Sequence, residues 1–246
     1  MGNPVTWFEI YAPDDERTGS FYGELFGWEV RSFPEMNYRT FDTHAGEGIN
    51  GGIARTQEGQ RPGLVFYAEG EDIQALLDEA VSKGASVAVP VTAIPDMATF
   101  AMFVDPFGNT IGLVQGDGGT RIGEGENPLV GWFELLVPEP AKAWDFYGDL
   151  FGWTFKKSEG DGFVYGEVDT GSGGRGISGG IGSSPDGQPH VNLYAGVDDL
   201  QKYLERAESQ GGSIAMPPTE VGAGQRIAMF VDDQGVAFGL YLHGHP

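Results

Sequence analysis

The chain begins with a stretch of strict alternation, Val5–Ala12, in which Phe8 and Ile10 fall on one face and Trp7, Glu9 and Tyr11 on the other. A period of two is the mark of a strand covered on one side. A helical pattern over Asp15–Phe26 follows, and then three short strand-like stretches at Trp28–Ser32, Asn37–Thr43 and Ile49–Arg55. The order then recurs: a strand at Leu64–Ala68, a helix at Ile73–Lys83 stopped by Gly84, and strands at Ser86–Val91, Thr99–Val104 and Thr110–Gln115. Two βαβββ modules in succession account for this half of the chain.

The second half restates the first. Trp7-Phe8-Glu9 returns as Trp132-Phe133-Glu134, FYGELFGW at 21–28 as FYGDLFGW at 146–153, Gly51-Gly52-Ile53 as Gly179-Gly180-Ile181, and AMFVD at 101–105 again at 228–232. The offset stays between 125 and 128, so a whole domain is duplicated rather than a short solenoid unit. The expected organisation is a first domain at 1–116, a Gly-rich linker at 117–128 and a second domain at 129–246, each burying its own core. Helices are expected near Lys142–Phe151 and Leu200–Gln210. The acid pairs Glu71-Asp72 and Asp198-Asp199 stand where helix N-termini favour negative charge. Asp-Pro-Phe-Gly at 105–108 and Asp-Asp-Gln-Gly at 232–235 read as tight turns into the last strands. The fold class is α+β, a tandem duplication in which each copy is two paired βαβββ modules.

Composition narrows the functions open to such a chain. Fourteen Lys and Arg against 36 Asp and Glu leave a formal charge of −22, a field that repels phosphate backbones and anionic membranes. No cysteine is present, which removes disulfides, thiolate metal sites and cysteine nucleophiles together. The N-terminal MGNPVTWFEI lacks a basic segment followed by a long apolar run, and no stretch approaches the ~18 apolar residues of a membrane helix. A cytoplasmic location, a small-molecule ligand rather than nucleic acid or membrane, and a monomer or homodimer are the corresponding expectations.

Paired modules carrying FYGELFGW after the first strand and DPFGNTIGL at the end resemble the vicinal oxygen chelate superfamily. That superfamily includes glyoxalase I, extradiol dioxygenases, fosfomycin resistance enzymes and bleomycin resistance protein. The resemblance covers both copies and implies strands curled around a cavity in each. In metal-using members a ligand comes from the first strand of each module and a Glu from each last strand. Carried onto this sequence, those positions are Trp7, Val65 and Gly112 in the first copy and Trp132, Asn192 and Gly239 in the second. Trp, Val and Gly offer a divalent ion no useful side-chain donor, and Asn is a poor substitute for His. No metal or other cofactor is therefore expected.

Alternation places Trp7, Glu9 and Tyr11 on the cavity face, with Tyr67 and Gly112 from later strands; the second copy offers Trp132, Glu134, His190, Asn192, Tyr194, Gly239 and Tyr241. Aromatic walls around one carboxylate suit a flat organic molecule. Glu9 and Glu134 have three readings: a base acting on a carbon acid, a ligand anchor, or a structural partner to Arg39, Arg175 or Arg226. Trp7 and Trp132 either face ligand or fill the space of absent ligands, and Tyr67 and Tyr194 either line the wall or pack. Trp28 and Trp153 read as core. The Gly-Gly pairs lack a following helix start and read as close strand crossings rather than phosphate loops. GSGGRG at 171–176 reads as a loop over the second cavity, and His243 with His245 as a solvated tail. The leading function is metal-independent binding of a small aromatic or hydrophobic molecule; the alternative is an enzyme of the superfamily (lyase, isomerase, dioxygenase or hydroxylase type) using Glu9 or Glu134 or an atypical metal site.

Overall fold

A computed structural model describes residues 2–116, 125–160, 163–221 and 224–243. The first copy runs β1 (Val5–Ala12), α1 (Asp15–Phe26), β2 (Glu29–Phe33), β3 (Tyr38–Asp42), β4 (Asn50–Arg55), β5 (Gly63–Gly70), α2 (Ile73–Ser82), β6 (Ser86–Ile94), β7 (Ala98–Val104) and β8 (Thr110–Gln115). The second repeats the order as β9 (Leu129–Val137), α3 (Pro140–Phe151), β10 (Thr154–Gly160), β11 (Phe163–Asp169), β12 (Ser178–Ser183), β13 (His190–Val197), α4 (Leu200–Ser209), β14 (Ser213–Glu220), β15 (Arg226–Val231) and β16 (Ala237–Leu242). Each copy contributes one mixed eight-stranded sheet, ordered β2-β3-β4-β1-β5-β8-β7-β6 and β10-β11-β12-β9-β13-β16-β15-β14. The α+β duplication read from the sequence is the observed architecture.

The local signals act as the residues require. Asp14 caps α1 through the amides of Glu16 and Arg17, Asp72 caps α2 through Ala75, and Asp199 caps α4 through Lys202. Asp105 and Asp232 accept the amides two and four residues on, which folds the turns ahead of β8 and β16. One strand is longer than its pattern suggests: β6 runs to Ile94 through Pro90, with register shifts at Val87/Val89 and Val89/Thr92. It forms a sheet edge, where the missing proline N–H costs no ladder bond.

The expectation that each copy buries its own core is corrected. The compact units are Met1–Trp7, Val65–Gly119 and Trp132–Val191 on one hand, and Phe8–Leu64, Thr120–Gly131 and Asn192–Pro246 on the other. Each unit joins a module of one copy to the opposite module of the other. In the unit built on Phe8–Leu64, Phe21, Tyr22 and Phe26 of α1 meet second-copy rings: Phe21 with Phe230 at 5.9 Å, Tyr22 with Phe238 at 5.4 Å, and Phe26 with Tyr203 at 5.8 Å. In the other, Phe66 meets Phe133 at 4.7 Å and Phe103 meets Phe146 at 6.4 Å. Each such ring contributes roughly 1.5–3 kcal/mol by burial, so the cores depend on both copies. The two tryptophans of the LFGW motifs are buried as expected, and their indole N–H groups reach across: Trp28 donates to the Pro128 carbonyl (2.8 Å) and Trp153 to the Asn3 carbonyl (2.7 Å).

Glycine run 171–176, expected as a loop over the second cavity, is held against strands of the first copy. Ile177 donates to the Val5 carbonyl at 2.9 Å, and Arg175 pairs with the buried Glu69 of β5, which fastens the run to first-copy strands. His245 lies outside the described residues. No helix among the described residues is long and apolar enough to cross a membrane.

Candidate ligand-binding site

The residues expected around one cavity per copy divide between the two compact units, Trp7, Tyr67 and Gly112 in one and Glu9 and Tyr11 in the other. In the unit built on Phe8–Leu64, Phe8, Ile10 and Ala12 of β1 are fully buried, and Glu9, on the opposite face, is 8% exposed. Glu9 accepts two hydroxyls: Tyr11 donates to Oε2 at 2.9 Å and Tyr38 to Oε1 at 2.7 Å. Tyr38, on β3, was not among the expected site residues. Its hydroxyl lies over Gly52 of β4, where an added Cβ would sit 2.1 Å from the oxygen. Gly51, its neighbour, leaves the same room for the Phe8 ring on the other face. The Gly-Gly pair is therefore a close approach of side chains from both sides, in keeping with the crossing expected there.

Two of the arginines expected as structural partners, Arg39 and Arg175, pair with other carboxylates. Arg39 pairs with Asp15 (2.8 Å), Arg55 reaches the same carboxylate, and Arg175 pairs with Glu69. Burial pushes the Asp15 carboxyl up, but the bonds and charges of Arg55 and Arg39 outweigh it and hold Asp15 below the usual carboxylate value. In the same unit Tyr194 is buried with its ring over Gly239, the residue opposite it in the ladder; a Cβ on Gly239 would lie 2.1 Å from the ring. Asn192 is buried two residues earlier. Tyr241 stands against Gly131 and Gly196, and its hydroxyl is pushed up to about 12, first by burial and then by the Glu47 charge.

The other unit repeats these features with different details. Tyr67 is buried, its ring covers Gly112, its ladder partner, and its hydroxyl turns toward the Met102 sulfur at 3.7 Å. A Cβ on Gly112 would meet that ring at 2.2 Å. Tyr165 is the counterpart of Tyr38: its hydroxyl lies over Gly180, the residue that pairs with Glu134 in the ladder. Tyr165 donates to Glu134 and accepts from the Trp132 indole N–H at 3.3 Å. Burial, then the Glu134 charge, raises the Tyr165 hydroxyl well above its ordinary value. Trp7 is half-buried on β1. His190 does not join Glu134: it bonds to Asp186 at 2.9 Å with a side chain 41% exposed, at the mouth of β13.

The chemistry of these positions does not fit a metal. At both last-strand positions a tyrosine ring lies where a carboxylate side chain would have to leave the backbone. Among the described residues, no three His, Cys, Asp or Glu side chains are grouped so as to hold an ion. What the arrangement can do is present hydroxyl-clasped carboxylates and aromatic surface.

The model of the Glyoxalase/Bleomycin resistance protein/Dioxygenase superfamily matches residues 5–113 and again 129–240. The glyoxylase candidate CFP32 of Mycobacterium tuberculosis is 28% identical over 251 residues, covering 98% of this chain and 94% of that protein. The anthracycline biosynthesis protein DnrV of Streptomyces peucetius is 30% identical over 128 residues, 46% of each chain. Among solved structures, the Mn(II)-bound glyoxalase from Novosphingobium aromaticivorans superposes with a TM-score of 0.70 at 18% identity, over 98% of this chain and 82% of that one, a likeness of fold alone.

Proposed function

Because the chain belongs to the Glyoxalase/Bleomycin resistance protein/Dioxygenase superfamily, we propose that it is a metal-independent member that binds a small aromatic or hydrophobic organic molecule. The observation that carries this reading is the tyrosine ring seated on the glycine of each last strand, Tyr67 on Gly112 and Tyr194 on Gly239. A glutamate at either glycine would drive the ring out, so the space a metal ligand needs is given to aromatic surface. In the unit built on Phe8–Leu64, Glu9, Tyr11, Tyr38, Asn192, Tyr194 and Tyr241 supply aromatic surface and polar anchors, the composition of ordinary ligand sites. The other unit supplies Trp7, Tyr67, Trp132, Glu134 and Tyr165.

Catalysis by Glu9 as a base is the weaker reading, since both its oxygens already accept hydroxyl hydrogens, which makes them poorer proton acceptors. The relative DnrV suggests a probe, an anthracycline, whose planar rings suit such a surface. Titration of chelator-treated protein with an anthracycline, followed by its fluorescence, should give saturable binding with the same midpoint in EDTA and in added Mn(II). Binding that appears only when Mn(II) is added would overturn the metal-independent reading.

A further inference from the structure

Three tyrosine rings of this protein lie over a glycine that stands opposite them on the next strand. Tyr67 covers Gly112 and Tyr194 covers Gly239. Tyr165 of β11 does the same for Gly182 of β12, where an added Cβ would meet the ring at 2.6 Å. A ring laid this way covers backbone that the glycine leaves bare.

One aromatic–glycine pair breaks the pattern. Phe163 of β11 stands opposite Gly160 of β10, so the two share a face of the sheet. Yet among the described residues no atom lies within 4 Å of the place a Gly160 Cβ would take. The Phe163 ring leans along its own strand instead and stacks on Tyr165, with centroids 5.7 Å apart and planes at 20°. It is 47% exposed, the one aromatic side chain among the exposed large hydrophobic residues described. Behind it the Tyr165 hydroxyl accepts from the Trp132 indole at 3.3 Å. Trp132, Tyr165 and Phe163 thus form one aromatic row within one compact unit, half-buried at Trp132 and Tyr165 and open at Phe163.

A single exposed apolar side chain needs no explanation. Phe163 differs because its ring is the wall, and bare Gly160 the floor, of an open step at the end of that row. A strand glycine is the residue that lets a ring approach the backbone closely. Two rings in an offset stack or edge-to-face attract beyond the area they bury. We infer that a planar aromatic ring of the ligand lies over Gly160 against Phe163, as Tyr67 lies over Gly112. This rests on the ligand-binding reading above and assigns the residue that stacks, on the β10–β11 hairpin of the second copy.

Calorimetric titration of the full chain with an anthracycline tests the assignment. Phe163→Ala should weaken binding at one site about tenfold, Phe163→Leu should recover little of the loss, and Phe163→Tyr should stay within about threefold of the parent. Gly160→Val puts a side chain on the floor and should weaken the same site by a similar factor. It should not lower the melting temperature, because a β-branched residue suits a strand. Val221→Ala trims an exposed apolar residue of the other unit and should change nothing. Phe163 is exposed, so its variants keep the fold and decide the question by themselves if Gly160→Val melts early. Parent affinity in Phe163→Ala, full retention in Phe163→Leu, or an equal loss in Val221→Ala would overturn the stacking assignment while leaving ligand binding intact. Saturable binding by no form of the protein, the parent included, would overturn both readings together.

Discussion

Tyr22 and Tyr147 stand at the same place in the two copies and meet equivalent aspartates, but only Tyr147 does so with full hydrogen-bond geometry. The Tyr147 hydroxyl donates to Asp105 Oδ2 at 2.6 Å, where Asn109 also donates at 3.2 Å. The Tyr22 hydroxyl is buried facing Asp232, close enough for that charge to add to burial in raising it, yet it makes no hydrogen bond of normal geometry. Losing a well-bonded partner strands a buried acceptor, whereas losing a hydroxyl in poor bonding geometry gives up less. Tyr147→Phe should therefore cost about 1–3 kcal/mol in urea unfolding and Tyr22→Phe less than about 1 kcal/mol. Equal losses would show that Tyr22 and Asp232 are bonded in solution. At this scale the sequence was only partly legible. Alternation correctly separated Phe8 and Ile10 from Glu9, because period two is a property of one strand. Tyr38 and Tyr165 were missed because their roles depend on the glycines of a neighbouring strand, Gly52 and Gly180. The recurrence of a tyrosine ahead of each Gly-Gly pair was the available signal. His190 was placed beside Glu134 by the same alternation, but at a strand's first residue Asp186 in the preceding loop draws it outward.

At the scale of elements, helices and strands followed from capping residues, glycines and apolar periods, each of which acts within a few residues. What could not be read was which module covers which. The apolar stripe of α1 says that Phe21, Tyr22 and Phe26 will be buried; nothing in its period says that Phe230, Phe238 and Tyr203 of the other copy will bury them. The crossed units carry a consequence for the isolated copies. Residues 1–116 alone would expose the α1 rings and leave Trp28 without the Pro128 carbonyl. A chain of 1–116 should show no cooperative unfolding as a monomer, and mixing it with 125–246 should restore a single cooperative transition. A monomeric 1–116 that unfolds cooperatively by itself would contradict the crossed cores.

For the whole molecule, the duplicated αβ pattern and the family were legible because repetition across ordered motifs is hard to produce otherwise, and the superfamily model matches both copies. The net charge of −22 argued against nucleic acid and anionic membranes, without naming a ligand. The identity of the ligand was not legible, since aromatic surface and one clasped carboxylate specify a class of shape and charge rather than a compound. The central claim is that this member of a family containing metal enzymes works without a metal, and its ground is the tyrosine-covered glycines of β8 and β16. Elemental analysis of the full chain, purified without chelator and dialysed, tests it most directly. The metal-independent reading predicts manganese, iron, nickel and zinc each well below one ion per copy, and one tightly held ion per copy would contradict it.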